Sequence, residues 1–149
     1  MSRYPCEQVR NRGNHHTKDK GDLGVAKAFT DLVAKGFTVL FPATEHAPFD
    51  LVTYRDGSFA RIQVKYRALR AGKVEVTLQS IWSDRHGVHR KFADKSAIDL
   101  VCIYCPDTDE CYYVLPTAFR RSVSLRVTPS RNNQHVGVLL AADFRELPC

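Results

Sequence analysis

The most constraining feature of this sequence is the dipeptide Asp56-Gly57, which lies between two runs of alternating residue type. Such a pair predicts a two-residue β-hairpin, because both central residues of a type I′ turn need a positive φ. Counting back from this turn places Asp50 directly opposite Gln63. Opposed residues on one face of a hairpin have Cβ atoms roughly 5 Å apart. The sequence therefore predicts that the side chains of Asp50 and Gln63 converge.

Side chains alternate along a strand, so Gln63 and Lys65 share the face of Asp50, while Ile62 and Val64 point the other way. Mg²⁺ prefers oxygen ligands, and Asp50, Gln63 and the main-chain carbonyl of Val64 predict a site for it, with Mn²⁺ as an alternative. Lys65 is then placed to orient or deprotonate an attacking water. Taken alone, so short a pattern more often marks an ordinary polar hairpin, and the surrounding sequence has to decide.

The hairpin motif is accompanied by further segments of distinctive sequence, at 20–24 (KGDLG), 45–51 (EHAPFDL), 61–67 (RIQVKYR), 79–87 (QSIWSDRHG) and 128–134 (TPSRNNQ). Together they resemble the PD-(D/E)XK nuclease superfamily, in the variant where Gln replaces the second acid. Within it they are most similar to the bacterial group I intron-encoded homing endonucleases. The resemblance covers most of the stretch from Thr17 to Pro148.

This resemblance implies an α/β, restriction-endonuclease-type core, in which a mixed central β-sheet carries a long first helix and flanking short helices. It also implies cleavage of double-stranded DNA with Mg²⁺ at a site formed by Asp50, Gln63 and Lys65. In such enzymes an acid on the first helix completes the site, and Val25 stands at its usual position here. Asp22 is the candidate replacement as metal ligand and catalytic acid, or else it is a first-turn acid favoured by the helix dipole.

The length of 149 residues with 44% hydrophobic content suits one folded domain, predicted here over 17–149 after a flexible basic arm at 1–16. Neither a membrane-spanning run nor a signal peptide is evident, which predicts a cytoplasmic protein. The formal charge of +6 favours a polyanionic partner. No organic cofactor is expected.

Basic and amide side chains in three regions are predicted to contact DNA through phosphates or base edges. They are Arg67, Arg70 and Lys73 after the motif; Arg85, His86, Arg90 and Lys91 in the middle; and Arg131, Asn132 and Asn133 near the end. For the last two, a conformational preference of Asn for turns is the competing explanation.

Hydrophobic periodicity predicts a first helix at 19–35 and a buried strand at 37–41. Strands are predicted at 74–78, 98–104, 111–115 and 124–127, a short helix at 116–121 and a closing helical turn at 141–147. Residues 79–96 show no clean period, so a long irregular, DNA-contacting segment is expected there.

Five cysteines in a chain without an export signal are predicted to be reduced. The pair Cys102 and Cys105 lies on a predicted strand, where residues three apart face opposite sides and do not chelate one zinc ion.

The function predicted from the sequence is site-specific cleavage of duplex DNA by a Mg²⁺-dependent endonuclease of the homing type. Cutting both strands needs two active sites, which predicts a symmetric dimer or dimer of dimers. A nuclease selective for branched DNA, of the Holliday-junction type, is one alternative. A DNA-binding protein that has lost catalysis is the other, because Val25 replaces the helix acid and Gln63 is neutral.

Overall fold

The computed structural model describes residues 16–92, 94–129 and 136–148. The first helix, α1, spans His16–Ala34. The strands are β1 (Thr38–Leu40), β2 (Leu51–Arg55), β3 (Ser58–Tyr66), β4 (Lys73–Thr77), β5 (Gln79–Asp84), β6 (Gly87–Phe92), β7 (Leu100–Cys105), β8 (Glu110–Val114), β9 (Ser122–Arg126) and β10 (Leu139–Leu140). Short 3₁₀ helices lie at Pro116–Ala118 and Ala141–Phe144.

The central sheet has the strand order β1-β2-β3-β7-β8, in which only the β3–β7 pair is parallel. Helix α1 covers one face, where Ala28 and Leu32 are buried with Leu51, Ile62 and Tyr113. A mixed sheet with a long first helix is the architecture that the sequence resemblance implied, and the predicted fold class is confirmed.

A second sheet, of order β10-β9-β4, covers the opposite face of the central sheet. Strands β4 and β9 are antiparallel and alternate strictly, so Val74 and Val76 point inward. These valines are fully buried with Val101 and Ile103 of β7. Burying one such side chain contributes about 1.5–3 kcal/mol, so this interface holds the two sheets together.

The predicted hairpin is present in the predicted register. Asp56 and Gly57 have φ values of 52° and 81°, as a type I′ turn requires. Counting from this turn, Arg55 pairs with Ser58 and Leu51 pairs with Ile62. The regular register ends there, because the backbone N–H of Asp50 also donates to the carbonyl of Ile62, at 2.9 Å, and not to Gln63.

Two sequence predictions are wrong. The strand expected to be buried at 37–41 is the edge strand β1, and no further strand pairs with it in the described part of the chain. Phe37 and Val39 pack against the core under α1, but Leu40 at the end of β1 and Phe41 after it are 43% and 57% exposed. The segment expected to be irregular at 79–96 is mostly the β5–β6 hairpin, whose strands pair from Gln79 with Phe92 to Asp84 with Gly87. Its turn residues, Arg85 and His86, are not a turn-forming pair, which hid the hairpin.

The remaining elements follow the prediction within a few residues. Cys102 lies in the core under α1, whereas Cys105 lies in the core under the second sheet, so the two thiols are on opposite faces of β7 as expected. Cys102, Cys105 and Cys111 are all free thiols. Among the helices of the described residues, none has the length and apolar character needed to cross a membrane.

Candidate active site

Asp50 lies immediately before β2 and is held against β3 by both its backbone and its side chain. Its N–H donates to Ile62, and its Oδ2 accepts a 2.7 Å hydrogen bond from the N–H of Val64. The β2–β3 ladder begins at Leu51, so at this point the carboxylate takes the place of a strand partner for β3. This bond fixes Asp50 beside the residues of the Gln-x-Lys segment.

Gln63 and Val64 place further oxygen atoms near this carboxylate. The Nε2 of Gln63 donates to the carbonyl of Pro48 at 3.4 Å, which leaves the amide oxygen as the atom available to a cation. The N–H and C=O of one strand residue point to the same side of the strand. Because the N–H of Val64 reaches Asp50, its carbonyl also points to the Asp50 side of β3.

Lys65 follows on the same face as Gln63 and is half-buried between the two sheets, where it pairs in register with Ile103 of β7. Burial lowers the pKa of its ammonium group below the usual value. The positive charge of Arg67 lowers this pKa further, and the Asp50 carboxylate opposes both effects. Lys65 therefore holds its proton less tightly than an exposed lysine does.

The donor set of Asp50, Gln63 and Val64 is one carboxylate, one amide oxygen and one carbonyl, which fits a hard divalent cation such as Mg²⁺. The described residues contain no group of three or more His, Cys, Asp or Glu side chains arranged for a metal. A site of this composition therefore leaves most coordination positions to water and substrate oxygens, as is usual for Mg²⁺.

Asp22 is exposed on α1, and among the described residues no hydrogen bond or ion pair joins it to Asp50. Val25 is partly buried and packs into the core under the helix. The position at which the resemblance implies a glutamate therefore carries an apolar side chain. Asp22 as a metal ligand stays a prediction.

Comparison with known proteins was made at the levels of sequence and structure. The family model described as PD-(D/E)XK endonuclease matches residues 15–147. The chain belongs to this endonuclease family. Comparison with curated proteins gives no significant match.

Among solved structures, the bacterial homing endonuclease I-Ssp6803I is similar in fold, with a TM-score of 0.72. The match covers 87% of this chain and 88% of that one at 21% sequence identity. Membership of the family makes the protein a nuclease, with DNA as the substrate that the family implies. Divalent metals such as Mg²⁺ are the general cofactors of these nucleases.

A basic groove lies next to Lys65 in this endonuclease. It encloses about 440 Å³ and is lined by Lys20, Tyr66, Arg67, Ala68, Arg70, Glu75 and Thr77, which we call the motif-side groove. The Lys20 ammonium lies 5.8 Å from the centre of the Tyr66 ring, which fixes the start of α1 against the end of β3. Arg67 and Arg70 thus lie together in this groove, and Lys73 is exposed on β4. Their contact with DNA stays a prediction.

The other predicted DNA contacts are only partly within the described structure. Arg85 and His86 are exposed at the tip of the β5–β6 hairpin, where Arg85 donates to His86. The backbones of Arg90 and Lys91 belong to β6, but their side chains lie outside the description. Arg131, Asn132 and Asn133 also lie outside the described residues.

The structure brings Lys95 together with Arg120 and Arg121, two basic residues that the sequence prediction did not assign to DNA. Lys95, Arg120, Arg121 and Ser122 line a second groove of about 720 Å³, which we call the hairpin-side groove. Lys95 donates to the carbonyls of Phe119 and Arg120, which holds its charge at this place. The adjacent pair Arg120-Arg121 was the available signal, but only the fold shows that Lys95 joins it.

A paired arginine and aspartate fix β3 to β7 just before the site. Arg61 donates from Nε and Nη2 to both carboxylate oxygens of Asp99 at 2.9 and 3.0 Å. Its backbone N–H also donates to Asp99 at 2.7 Å, and the arginine lowers the pKa of this carboxylate. Because Arg61 occupies both oxygens of Asp99, this pair fixes β3 beside β7 two residues before Gln63.

Proposed function

We propose that the protein is a site-specific, Mg²⁺-dependent endonuclease of the homing type that cuts double-stranded DNA. The observation that carries the proposal is the 2.7 Å hydrogen bond from the N–H of Val64 to Asp50, which holds this carboxylate against the Gln-x-Lys segment that ends in a desolvated Lys65. The basic motif-side groove adjoins this segment, and the family is one of endonucleases. The homing-type neighbour in fold supports the specific assignment.

Asp50, Gln63 and the Val64 carbonyl are the residues that would hold the cation. A bound divalent cation supplies Lewis-acid chemistry, which stabilises the negative charge that develops on phosphoryl oxygens. Lys65, whose pKa is lowered by burial, gives up its proton more readily than an exposed lysine, and so it orients or deprotonates the attacking water. Arg67 and Arg70 bind neighbouring phosphates and hold the strand in place.

A cut in both strands needs an active site for each, so the proposal includes a symmetric homo-oligomer, either a dimer or a dimer of dimers. Such an enzyme would act in the cytoplasm on chromosomal DNA. Sedimentation of the protein with and without a bound duplex measures the number of subunits.

The test is cleavage of a randomised duplex library by the purified protein with Mg²⁺, followed by sequencing of the ends. Recurrent cuts at one long sequence, lost with EDTA and in Lys65→Ala, are the expected result. Lys18→Ala, which removes an exposed lysine on α1, is the matched control and should cut normally. Equal cleavage by Lys65→Ala and the unaltered protein would refute the assigned active site. Cleavage confined to branched DNA would favour the junction-selective alternative.

A binding protein without catalysis is the second candidate, and Val25 is the observation that favours it. Its side chain fills the helix position where an acid is implied, and Asp22 is exposed on α1. Sequence-specific duplex binding that survives EDTA, with no cleavage at any Mg²⁺ or Mn²⁺ concentration, would establish this candidate. If the enzyme cuts, loss of cleavage in Asp22→Asn would show that Asp22 replaces the missing acid.

A further inference from the structure

The second sheet has a fully polar outer face along the strands that border both basic grooves. Val74, Val76, Val123 and Leu125 point inward, and alternation therefore turns the remaining residues of β4 and β9 outward. They are Lys73, Glu75 and Thr77 on β4, and Ser122, Ser124 and Arg126 on β9. Every one of these six side chains can form hydrogen bonds.

The outer face also connects the two grooves. Thr77 lines the motif-side groove, Ser122 lines the hairpin-side groove, and these two residues are direct cross-strand partners. The next pair along is Glu75 with Ser124. A strip of hydrogen-bonding side chains therefore runs between two basic clusters.

This arrangement matches the major groove of DNA in width and in charge. The groove is about 12 Å wide and admits a two-stranded β-ribbon. The third strand, β10, pairs only with Leu125 and Arg126, so the sheet is two-stranded at the Thr77–Ser122 and Glu75–Ser124 pairs. Adjacent strands lie about 4.8 Å apart, so this two-stranded part with its side chains fits between the phosphate backbones. Basic clusters on both sides would then meet the two phosphate strands, while the central strip meets the base edges.

We propose that the outer face of β4 and β9 lies in the DNA major groove and that Glu75, Thr77 and Ser124 read base edges there. The inference rests on the proposed function, because it takes duplex DNA as the substrate and names the surface that selects its sequence. Lys20, Arg67 and Arg70 contact phosphates on one side, and Lys95 and Arg120 contact phosphates on the other.

Glu75 is the most informative of the three side chains. A carboxylate facing a phosphate would be repelled, yet Glu75 lines a groove that also holds Lys20, Arg67 and Arg70. In the major groove a carboxylate accepts a hydrogen bond from the N4 amino group of cytosine. Glu75 therefore selects for a base at its position, whereas the surrounding cations bind any sequence.

The experiment selects bound sequences from a randomised duplex pool, with Lys65→Ala as the parent so that the DNA stays intact. Glu75→Gln, Thr77→Val and Ser124→Ala are each added to this parent. We expect each to relax discrimination at one or two base positions by about 5- to 150-fold, because one good base contact supplies discrimination of that size. The salt dependence of binding should not change.

Arg70→Ala and Arg120→Ala are the contrasting variants. They should weaken binding to all sequences alike and reduce the salt slope by about one unit each, without altering the selected sequence. Thr38→Val on β1 is the matched control for Thr77→Val, because it makes the same substitution at an exposed strand position of the other sheet. It should leave both affinity and selected sequence unchanged.

The outcomes separate this inference from the proposed function. If the unaltered protein cuts specific duplex sites but Glu75→Gln, Thr77→Val and Ser124→Ala all select the parent sequence, the inference is wrong and the proposed function stands. If the protein neither cuts nor binds duplex DNA specifically, both are wrong. A relaxed base preference confined to these three variants supports both.

Discussion

Replacing Asp50 by alanine and by asparagine separates two roles of one carboxylate. Its Oδ2 accepts the N–H of Val64 at 2.7 Å, and alanine leaves this partly buried donor without its acceptor. Loss of the acceptor costs about 1–3 kcal/mol of unfolding free energy. Asparagine retains an oxygen acceptor for Val64 but carries no charge, so we expect its cost to stay below about 1 kcal/mol.

Thermal unfolding with and without Mg²⁺ measures both roles. In a chain of this length, a change of 1 kcal/mol shifts Tm by about 2–4 °C. Mg²⁺ at 100 times its Kd stabilises a folded protein by about 2.7 kcal/mol, which amounts to roughly 5–11 °C for the unaltered chain. Both variants should lose this gain together with cleavage, but only Asp50→Ala should have a clearly lower Tm in EDTA.

Asp56→Asn is the matched control, because the side chain is exposed in the hairpin turn and Asn-Gly forms the same type of turn. It should keep both Tm and the response to Mg²⁺. Retention of the Mg²⁺ gain and of cleavage in Asp50→Asn would refute Asp50 as a metal ligand. An unchanged Tm of Asp50→Ala in EDTA would refute the structural role of the Val64 hydrogen bond.

Three further predictions concern Lys65, the turn before β4 and the β3–β7 ion pair. Lys65→Met should abolish cleavage, yet its unfolding free energy, measured with urea, should be about 0.5–1 kcal/mol higher. The pKa of Lys65 is lowered in the folded protein, so the unfolding free energy of the unaltered protein should rise with pH through that pKa. Lys65→Met should lack this rise. Gly72 has a φ of 75°, and a Cβ there would lie 2.1 Å from Oγ1 of Thr128. Gly72→Ala should therefore lower the unfolding free energy by about 1–2 kcal/mol or more. Adding Thr128→Ala removes the clashing hydroxyl and should recover the steric part of this loss. No recovery in the double variant would contradict the clash. Arg61 lowers the pKa of Asp99 below its ordinary value of 3.8, so the ionised carboxylate stabilises the fold at pH values above 3.8. This stabilisation is lost as the pH falls through the folded pKa of Asp99. In acid unfolding followed by circular dichroism, Asp99→Asn should have a lower unfolding free energy than the unaltered protein above the folded pKa of Asp99, and the two should converge below it. A difference that stays constant with pH would refute the Arg61–Asp99 pair as its cause.

Local signals predicted the part of the site that one hairpin creates. Asp56 and Gly57 set a register that needs no information from the rest of the chain, so the pairing from Arg55 with Ser58 to Leu51 with Ile62 followed from counting. The sequence did not indicate the hydrogen bond from Val64 to Asp50, because it forms only where the β2–β3 ladder ends. Asp22 could not be placed from the helix period alone, which gives a face but not a distance to β3.

Long-range pairings were the part that the sequence could not provide. Whether an apolar strand lies inside a sheet or at its edge depends on its neighbours, so the apolar pattern predicts burial for Leu40 and Phe41, which are exposed at the end of β1 and just after it. The joining of Lys95 to Arg120 depends on the packing of segments far apart in the chain. The hairpin at Arg85 and His86 was missed for a local reason, since neither residue favours the turn conformation.

The parallel pairing of β3 with β7 has a consequence for when the enzyme becomes active during its synthesis. The paired residues are 38 positions apart, as in Arg61 with Asp99, and β4, β5 and β6 lie between them. A hairpin forms within about 1–10 μs, whereas a ribosome adds about 5–20 residues per second, so β3 waits roughly 2–8 s for its partner. Until β7 arrives, Lys65 stays hydrated and keeps the proton affinity of an ordinary lysine. Late closure of this crossover would therefore delay the maturation of nuclease chemistry until β7, which ends at Cys105 of the 149 residues, has emerged.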